Sequence, residues 1–245
     1  MLRIEPRKVS EKPAENSYPA EDYAVIKEYK ERFITDLIAA VKNSDDIVFI
    51  SYSCIDDTEE KIKIALAMIL EKFKNEDLFT PVIACIKELI ANATKANAKQ
   101  ILTIEGHIKD PEDHDDTVRK IRSILNESAL LEYGIKCKEN GLSTRTFLKL
   151  SKGRLTIEVI NNVPLSKSEL ARINDKIESS SKYDSIAEFY LENPDPRAEG
   201  MGLGISMIVV LLKNINIPYK NFTVTTDGLE KTRARIVIPL RYTAR

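Results

Sequence analysis

Glu88, Asn92 and Lys95 recur at helical spacing in the segment Glu88-Leu-Ile-Ala-Asn92-Ala-Thr-Lys95. At 100° per residue they lie within roughly 60° of one another. One helix stripe therefore carries a carboxylate, a carboxamide and an ammonium, at the edge of the apolar face made by Val82, Cys85, Ile86, Leu89 and Ala93. Each group has a chemistry that suits a phosphate ligand. An asparagine carbonyl is a hard oxygen donor for Mg²⁺, which keeps several waters and bridges phosphates. A carboxylate can orient or deprotonate a hydroxyl or a water. An ammonium can neutralise phosphate charge. The same residue types also make ordinary solvated helix faces, and this segment alone does not separate the two readings.

About a hundred residues later comes Gly200-Met-Gly202-Leu203-Gly204-Ile. Three of the chain's eight glycines fall within five residues. Glycine reaches positive φ without steric cost and lets a ligand approach the backbone. A helix begins at once, so its N-terminal amides face whatever the loop holds, and Arg197 adds positive charge just upstream. The alternative is a glycine turn for close helix packing. No G-x-x-x-x-G-K-[ST] sequence occurs, which excludes a P-loop. The spacing G-x-G-x-G and the polar, proline-containing segment before it argue against a Rossmann site. Between the two constellations, Leu155 to Ile160 reads as a strand ending in Asn161-Asn162-Val163-Pro164. Asn161 is either a ligand-reading group at a strand end or part of a plain turn.

These residues need positioning elements. Glu21 to about Lys42 has helical periodicity (Tyr23, Ile26, Tyr29, Phe33, Leu37, Val41). Asp46 to Ser53 is short and rich in β-branched and aromatic residues, as a strand is. Asp57-Thr58 are expected to cap a helix from about Glu59 to Lys74. The motif helix is expected over Leu78 to Asn97, followed by a strand from Gln100 to Glu105. Thr117 to Leu131 has helical spacing. Thr144–Leu150 and Arg154–Ile160 should form a hairpin turning at Lys152-Gly153. Ser166 with Glu169 makes a capping box for a helix to about Ser179. A short helix follows over Asp184 to Leu191, then an apolar helix from Leu203, then a hairpin around Asp227-Gly228. Such a series predicts an α/β fold, a two-layer sandwich with a mixed, mostly antiparallel sheet. The expected organisation is a flexible arm at 1–20, an N-terminal helix at 21–45 and a domain at 46–240 with an insertion near 106–140.

The 245 residues include 43% hydrophobic ones, enough for a sizeable core. With 37 basic against 38 acidic side chains there is no global field to attract nucleic acid or a membrane surface. The apolar run Ile205–Leu212 is far short of the ~20 residues of a membrane span. Cys54, Cys85 and Cys137 are odd in number and lack metal-ligand spacing, as suits a reducing cytoplasm. His114, within Asp110-Pro-Glu-Asp-His-Asp-Asp116, reads as part of an acidic solvated loop.

Taken in order, Glu88-L-x-x-Asn92-x-x-Lys95, the strand ending at Asn161 and the Gly200–Gly204 run resemble the ATP pocket of the GHKL (Bergerat-fold, histidine kinase-like) ATPases. The resemblance covers about residues 46–240, and its topology is nearest to anti-sigma-factor serine kinases and stand-alone regulators. It implies ATP and Mg²⁺ as cofactors. Asn92 would hold the metal, and Lys95, Arg197, Gly200, Gly202, Leu203 and Gly204 would surround the phosphates. Asn161 would read the base, Glu88 would be the general base, and the loop from Ser179 to Glu199 would be the lid. The family has Asp where Asn161 stands, and two glycines in the turn that reads Val163-Pro164-Leu165 here. An amide can present either edge to a base, so purine identity is open. The implied function is ATP-binding signal transduction, as a kinase-like phosphotransferase or an ATPase acting on a protein partner. The alternatives are a sensor that binds without turnover and a nucleotide-independent interaction module.

Overall fold

The computed structural model describes residues 1–5, 20–53, 57–108, 127–192 and 203–241. Among these, seven α-helices accompany one six-stranded sheet. The strands are β1 (Leu2–Ile4), β2 (Ile47–Ser51), β3 (Thr144–Ser151), β4 (Arg154–Asn161), β5 (Phe222–Thr226) and β6 (Thr232–Pro239). Their order across the sheet is β1-β2-β3-β4-β6-β5. β1 and β2 are parallel and every other pair is antiparallel. The helices are α1 (Ala20–Asn43), α2 (Thr58–Lys72), α3 (Phe79–Ile104), α4 (Glu127–Glu139), α5 (Lys167–Ser180), α6 (Ile186–Glu192) and α7 (Leu203–Asn214). The fold is the expected two-layer α/β sandwich with a mixed, mostly antiparallel sheet. None of the described helices is long and apolar enough to cross a membrane.

Local chemistry explains most boundaries. The β3–β4 hairpin turns through Lys152 and Gly153, both at positive φ (49° and 72°), the conformation a two-residue primed turn requires. Ser166 caps α5 with the reciprocal bonds of a capping box: the Glu169 amide donates to Ser166 Oγ, and the Ser166 amide donates to the Glu169 carboxylate at 2.9 Å. At the β5–β6 turn the Asp227 carboxylate accepts from three successive amides, those of Leu229, Glu230 and Lys231. Those bonds hold its pKa far below the usual carboxylate range.

Three expectations are corrected. Gln100 to Glu105 is not a strand but the last turns of α3. Nothing between Asn97 and Ile104 breaks a helix, and Ala98, Ile101 and Leu102 pack as a buried cluster with Tyr133 and Cys137 of α4. α3 ends instead at Gly106 (φ 76°), where the amides of Gly106 and His107 bond back to the carbonyls of Thr103 and Leu102. Residues 2–4 are not part of a flexible arm: they form edge strand β1, with Ile4 buried in the core. The local sequence hides this because three residues carry no period. Asp57 makes no side-chain cap on α2; its carboxylate pairs with Lys61 at 2.9 Å, a lysine only 7% exposed. Most of the helix expected at 117–131 lies outside the described residues, and α4 carries the chain from 127 to 139.

The main core lies between sheet and helices. The cross-strand row Ile47–Leu148–Ile157–Ile236–Phe222 is fully buried and apolar. It faces the inner sides of α2, α3 and α7, which contribute Ile62, Leu66, Ile86, Ile208 and Leu212. Burial of such side chains contributes about 1.5–3 kcal/mol each.

Candidate functional site

Two residues along from that apolar row, on the same face, the row Phe49–Thr146–Val159–Ala234–Val224 is mixed. One step further it becomes polar throughout: Ser51–Thr144–Asn161–Thr232–Thr226. Ser51, Thr144 and Asn161 are nonetheless buried. Burying polar side chains costs free energy unless they find partners, so three buried polar side chains in one row distinguish this end of the sheet from the apolar core.

Over the β4–β6–β5 part of this end lies a cavity of about 580 Å³, within the usual range for small-molecule sites. Its walls are the C-terminal two thirds of α3, the start of α5 and the first turn of α7; its floor includes Asn161, Val159 and Thr232. Three of the sequence-predicted site residues line it together: Asn92 from α3, Asn161 from β4 and Gly204 from α7. Asn92 and Gly204, far apart in sequence, thus meet across one space. The side chain of Asn92 has no hydrogen-bond partner among the described residues. Asn161 donates through Nδ2 to Asn97 Oδ1 at 3.5 Å and to the Val163 carbonyl at 3.4 Å. Both contacts lie at the long end of the hydrogen-bond range.

Other predicted residues take different places. Glu88 is not part of the cavity wall. It sits against the first turn of α7, so that a Cβ built on Gly204 would overlap the Glu88 carboxyl group. Gly204 is therefore a glycine because the carboxylate occupies the space a side chain would need. The contact is also favourable electrostatically, since a helix N-terminus attracts an anion. Lys95 is half-buried and also lies off the cavity wall. Leu203 opens α7 and is half-buried. Arg197, Gly200 and Gly202 fall outside the described residues, as does His114. Asn162, next to Asn161, accepts at Oδ1 from the amide and hydroxyl of Ser143 and ties the ends of β3 and β4 together.

The structure adds residues that the motif reading missed. Lys99 lines the cavity and pairs with Glu169 at 3.2 Å, joining α3 to α5. At helical spacing Lys99 falls about 20° from Glu88, inside the Glu88–Asn92–Lys95 stripe. Extending the helix past Asn97 would have found it. Arg172, one turn beyond Glu169 on α5, also lines the cavity, and no carboxylate pairs with it among the described residues. Burial works against ionisation of Glu169. The Ser166 amide and the Lys99 ammonium outweigh that effect and hold its pKa below the ordinary carboxylate value. Where α5 and α7 meet, Ser180 Oγ donates to Ser206 Oγ at 2.8 Å between two fully buried hydroxyls. Beyond α5, Lys213 of α7 pins the chain through Asp184 (2.6 Å) and the carbonyls of Ser181 and Tyr183.

Cys85 and Cys137 are buried away from this chemistry. Burial pushes their thiols up to about 12 and about 11 respectively, which leaves them unreactive at neutral pH.

No family model and no solved structure match the chain. It is similar to an uncharacterized protein of Treponema pallidum (strain Nichols), with 30% identity over 159 residues, or 63% of this chain. The chain spans 30% of the length of that curated relative.

Proposed function

We propose that the cavity is a Mg·ATP site and that the chain is a cytoplasmic nucleotide-binding regulator of the GHKL type, acting on a protein partner. The observation that carries this reading is the convergence of Asn92, Asn161 and Gly204 on one cavity of about 580 Å³. The groups present fit the ligand. The Asn92 carboxamide, without a partner among the described residues, suits Mg²⁺. The buried Asn161 has its N–H groups engaged by Asn97 and Val163, and no described residue donates to its oxygen, which suits the amino group of adenine. The α7 N-terminus and Arg172 supply positive potential for phosphates. Bound Mg·ATP would supply a transferable phosphoryl group. Toward it, this chain's residues bind and orient, and Glu88 is a carboxylate packed against the first turn of α7, where an anion is favoured.

The location of Glu88 also supports a second reading, a sensor that binds the nucleotide without turnover. Its carboxyl group is packed on Gly204 rather than lining the cavity. A nucleotide-independent interaction module is the third, motivated by Val163 and Pro164 in the cavity wall. Calorimetric titration with Mg·ATP separates binder from bare scaffold. Wild type should bind, and Asn92→Ala should weaken binding in Mg²⁺ by about tenfold or more, the loss of one metal or hydrogen-bonding ligand. No heat and no competition by ATP analogues would overturn the nucleotide reading. ATP turnover by wild type against Glu88→Gln then distinguishes enzyme from sensor.

A further inference from the structure

Side chains alternate between the two faces of a strand, so the strands that carry the core and floor the cavity also present an outer face. On β3, β4, β5 and β6 that outer face holds five cations: Arg145, Lys149, Arg154, Arg233 and Arg235. Glu158 is the one carboxylate on it, and it is buried. One oxygen of Glu158 pairs with Lys149 at 2.6 Å and the other with Arg235 at 3.7 Å, which holds both cations in place across the sheet. Arg145, Arg154 and Arg233 are exposed and pair with no carboxylate among the described residues. Half-buried Phe147, Ile160 and Val237 lie between the cations, with the Lys149 ammonium 4.9 Å from the centre of the Phe147 ring. Arg145 and Arg233 flank Ile160 in one cross-strand row. At ordinary strand spacing their backbones are about 10 Å apart, about one screening length in salt, so their potentials add. The whole chain has a net charge of -1, so this positive excess is local to one face.

We propose that this outer face is a docking surface for an acidic segment of a partner protein, an extended stretch with carboxylates at alternate residues and apolar side chains between them. Arg233 and Arg235 recur every second residue of β6, the same step at which an extended peptide presents one of its faces. Arginine forks take carboxylates in bidentate pairs, and the apolar groups between the cations receive the intervening side chains. Two other anionic partners fit less well. Sheets that bind single-stranded nucleic acid stack bases on several aromatic rings, and the outer positions of these four strands hold one, Phe147, with Lys149 over it. A membrane surface takes inserted apolar side chains, and those of this face are half-buried. The cavity, floored by Val159, Asn161 and Thr232, is on the opposite side of the sheet, so this surface stands independently of the nucleotide reading.

The test is fluorescence anisotropy of labelled probes titrated with the full chain. The probes are a twelve-residue peptide repeating Glu-Val-Glu-Ser, its counterpart repeating Lys-Val-Lys-Ser, a twelve-nucleotide oligothymidylate, and vesicles of phosphatidylserine and phosphatidylcholine in equal parts. The acidic peptide should bind saturably, and more weakly as salt rises from about 50 to about 200 mM. Arg145→Glu and Arg233→Glu should each weaken it by at least about fivefold, since each replaces an attraction by a repulsion. Lys182→Glu, an exposed change beyond the end of α5, should leave it unchanged. Circular dichroism establishes folding of each variant. If a charge reversal does not fold, Arg145→Gln and Arg233→Gln carry the same comparison. No binding of the acidic peptide up to about 1 mM, equal binding of the basic peptide, or binding indifferent to Arg145 and Arg233 would overturn the proposal. Oligothymidylate or vesicles bound as tightly as the acidic peptide, and lost in the same variants, would assign the face to nucleic acid or lipid and overturn it too.

Discussion

Two stretches of the same sheet face are built in opposite ways: one is fully buried and apolar, the other polar, with Ser51, Thr144 and Asn161 buried and Thr226 and Thr232 half-buried. In the row Ile47–Leu148–Ile157–Ile236–Phe222 every side chain is apolar and packed on helices. In the row Ser51–Thr144–Asn161–Thr232–Thr226 every side chain is polar. The first row is explained by stability alone. The second gives up hydrophobic burial, and its bonds to Asn97 are long, so stability does not explain it. The difference teaches where to look for function: at the sheet end where burial and polarity coincide and a cavity opens.

The largest way to break the comparison is through the apolar row. Ile157→Ala should destabilise the fold by about 2–5 kcal/mol through lost burial and a cavity, read by urea denaturation. Loss at that scale contrasts with the polar row, where Thr144→Val leaves one amide of Asn97 without its acceptor and should cost about 1–3 kcal/mol. A cost as large as that of Ile157→Ala would erase the distinction.

Next comes the Glu88–Gly204 contact. Gly204→Ala forces the Glu88 carboxyl group to move, and overpacking of this kind costs about 1–3 kcal/mol. Glu88→Ala should recover most of that loss. The coupling in a double-mutant cycle should be at least about 0.5 kcal/mol; additive effects would show that the two residues do not touch.

Smaller effects come from α5, which walls the polar end. Ser166→Ala removes its capping box and should cost about 1 kcal/mol, seen as a lower Tm, while Ser181→Ala at the far end of the helix should change little. The pH dependence of Glu169 is smaller still. Its pKa in the folded chain lies below the ordinary value of 4.5. The stability it contributes is therefore fully present above about that pH and is lost as pH falls through the folded value. Lys99→Met should flatten this part of the acid limb of the Tm-versus-pH curve, with little change at pH 7, because a partly exposed pair contributes about 0–1 kcal/mol.

Much of this was legible in the residues. The hairpin turns at Lys152-Gly153 and Asp227-Gly228 and the Ser166–Glu169 box are local chemistry, so the sequence states them outright. The stripe holding Asn92 also reads directly, because helical spacing alone places it. What the sequence did not show depends on contacts from far along the chain. Gln100–Glu105 has strand-like composition, but Ile101 and Leu102 are claimed by Tyr133 and Cys137 of α4, and α3 runs on through Lys99. Residues 2–4 become a strand only because β2 is beside them. Glu88 shares a stripe with Asn92, yet Gly204 offers it a space of its own. Asn97 looked like the end of a helix, and its partners Thr144 and Asn161 lie 47 and 64 residues away.

The central claim is that the polar end of the sheet receives a magnesium nucleotide. Its most direct test is a side-chain amide NMR titration of the asparagines with Mg·ATP. The expected result is that the Asn92 and Asn161 carboxamide signals and the Gly204 backbone amide shift together and saturate with one affinity, while amides of the apolar row stay in place. Saturable shifts confined to another surface, or no shifts at millimolar Mg·ATP, would contradict the account.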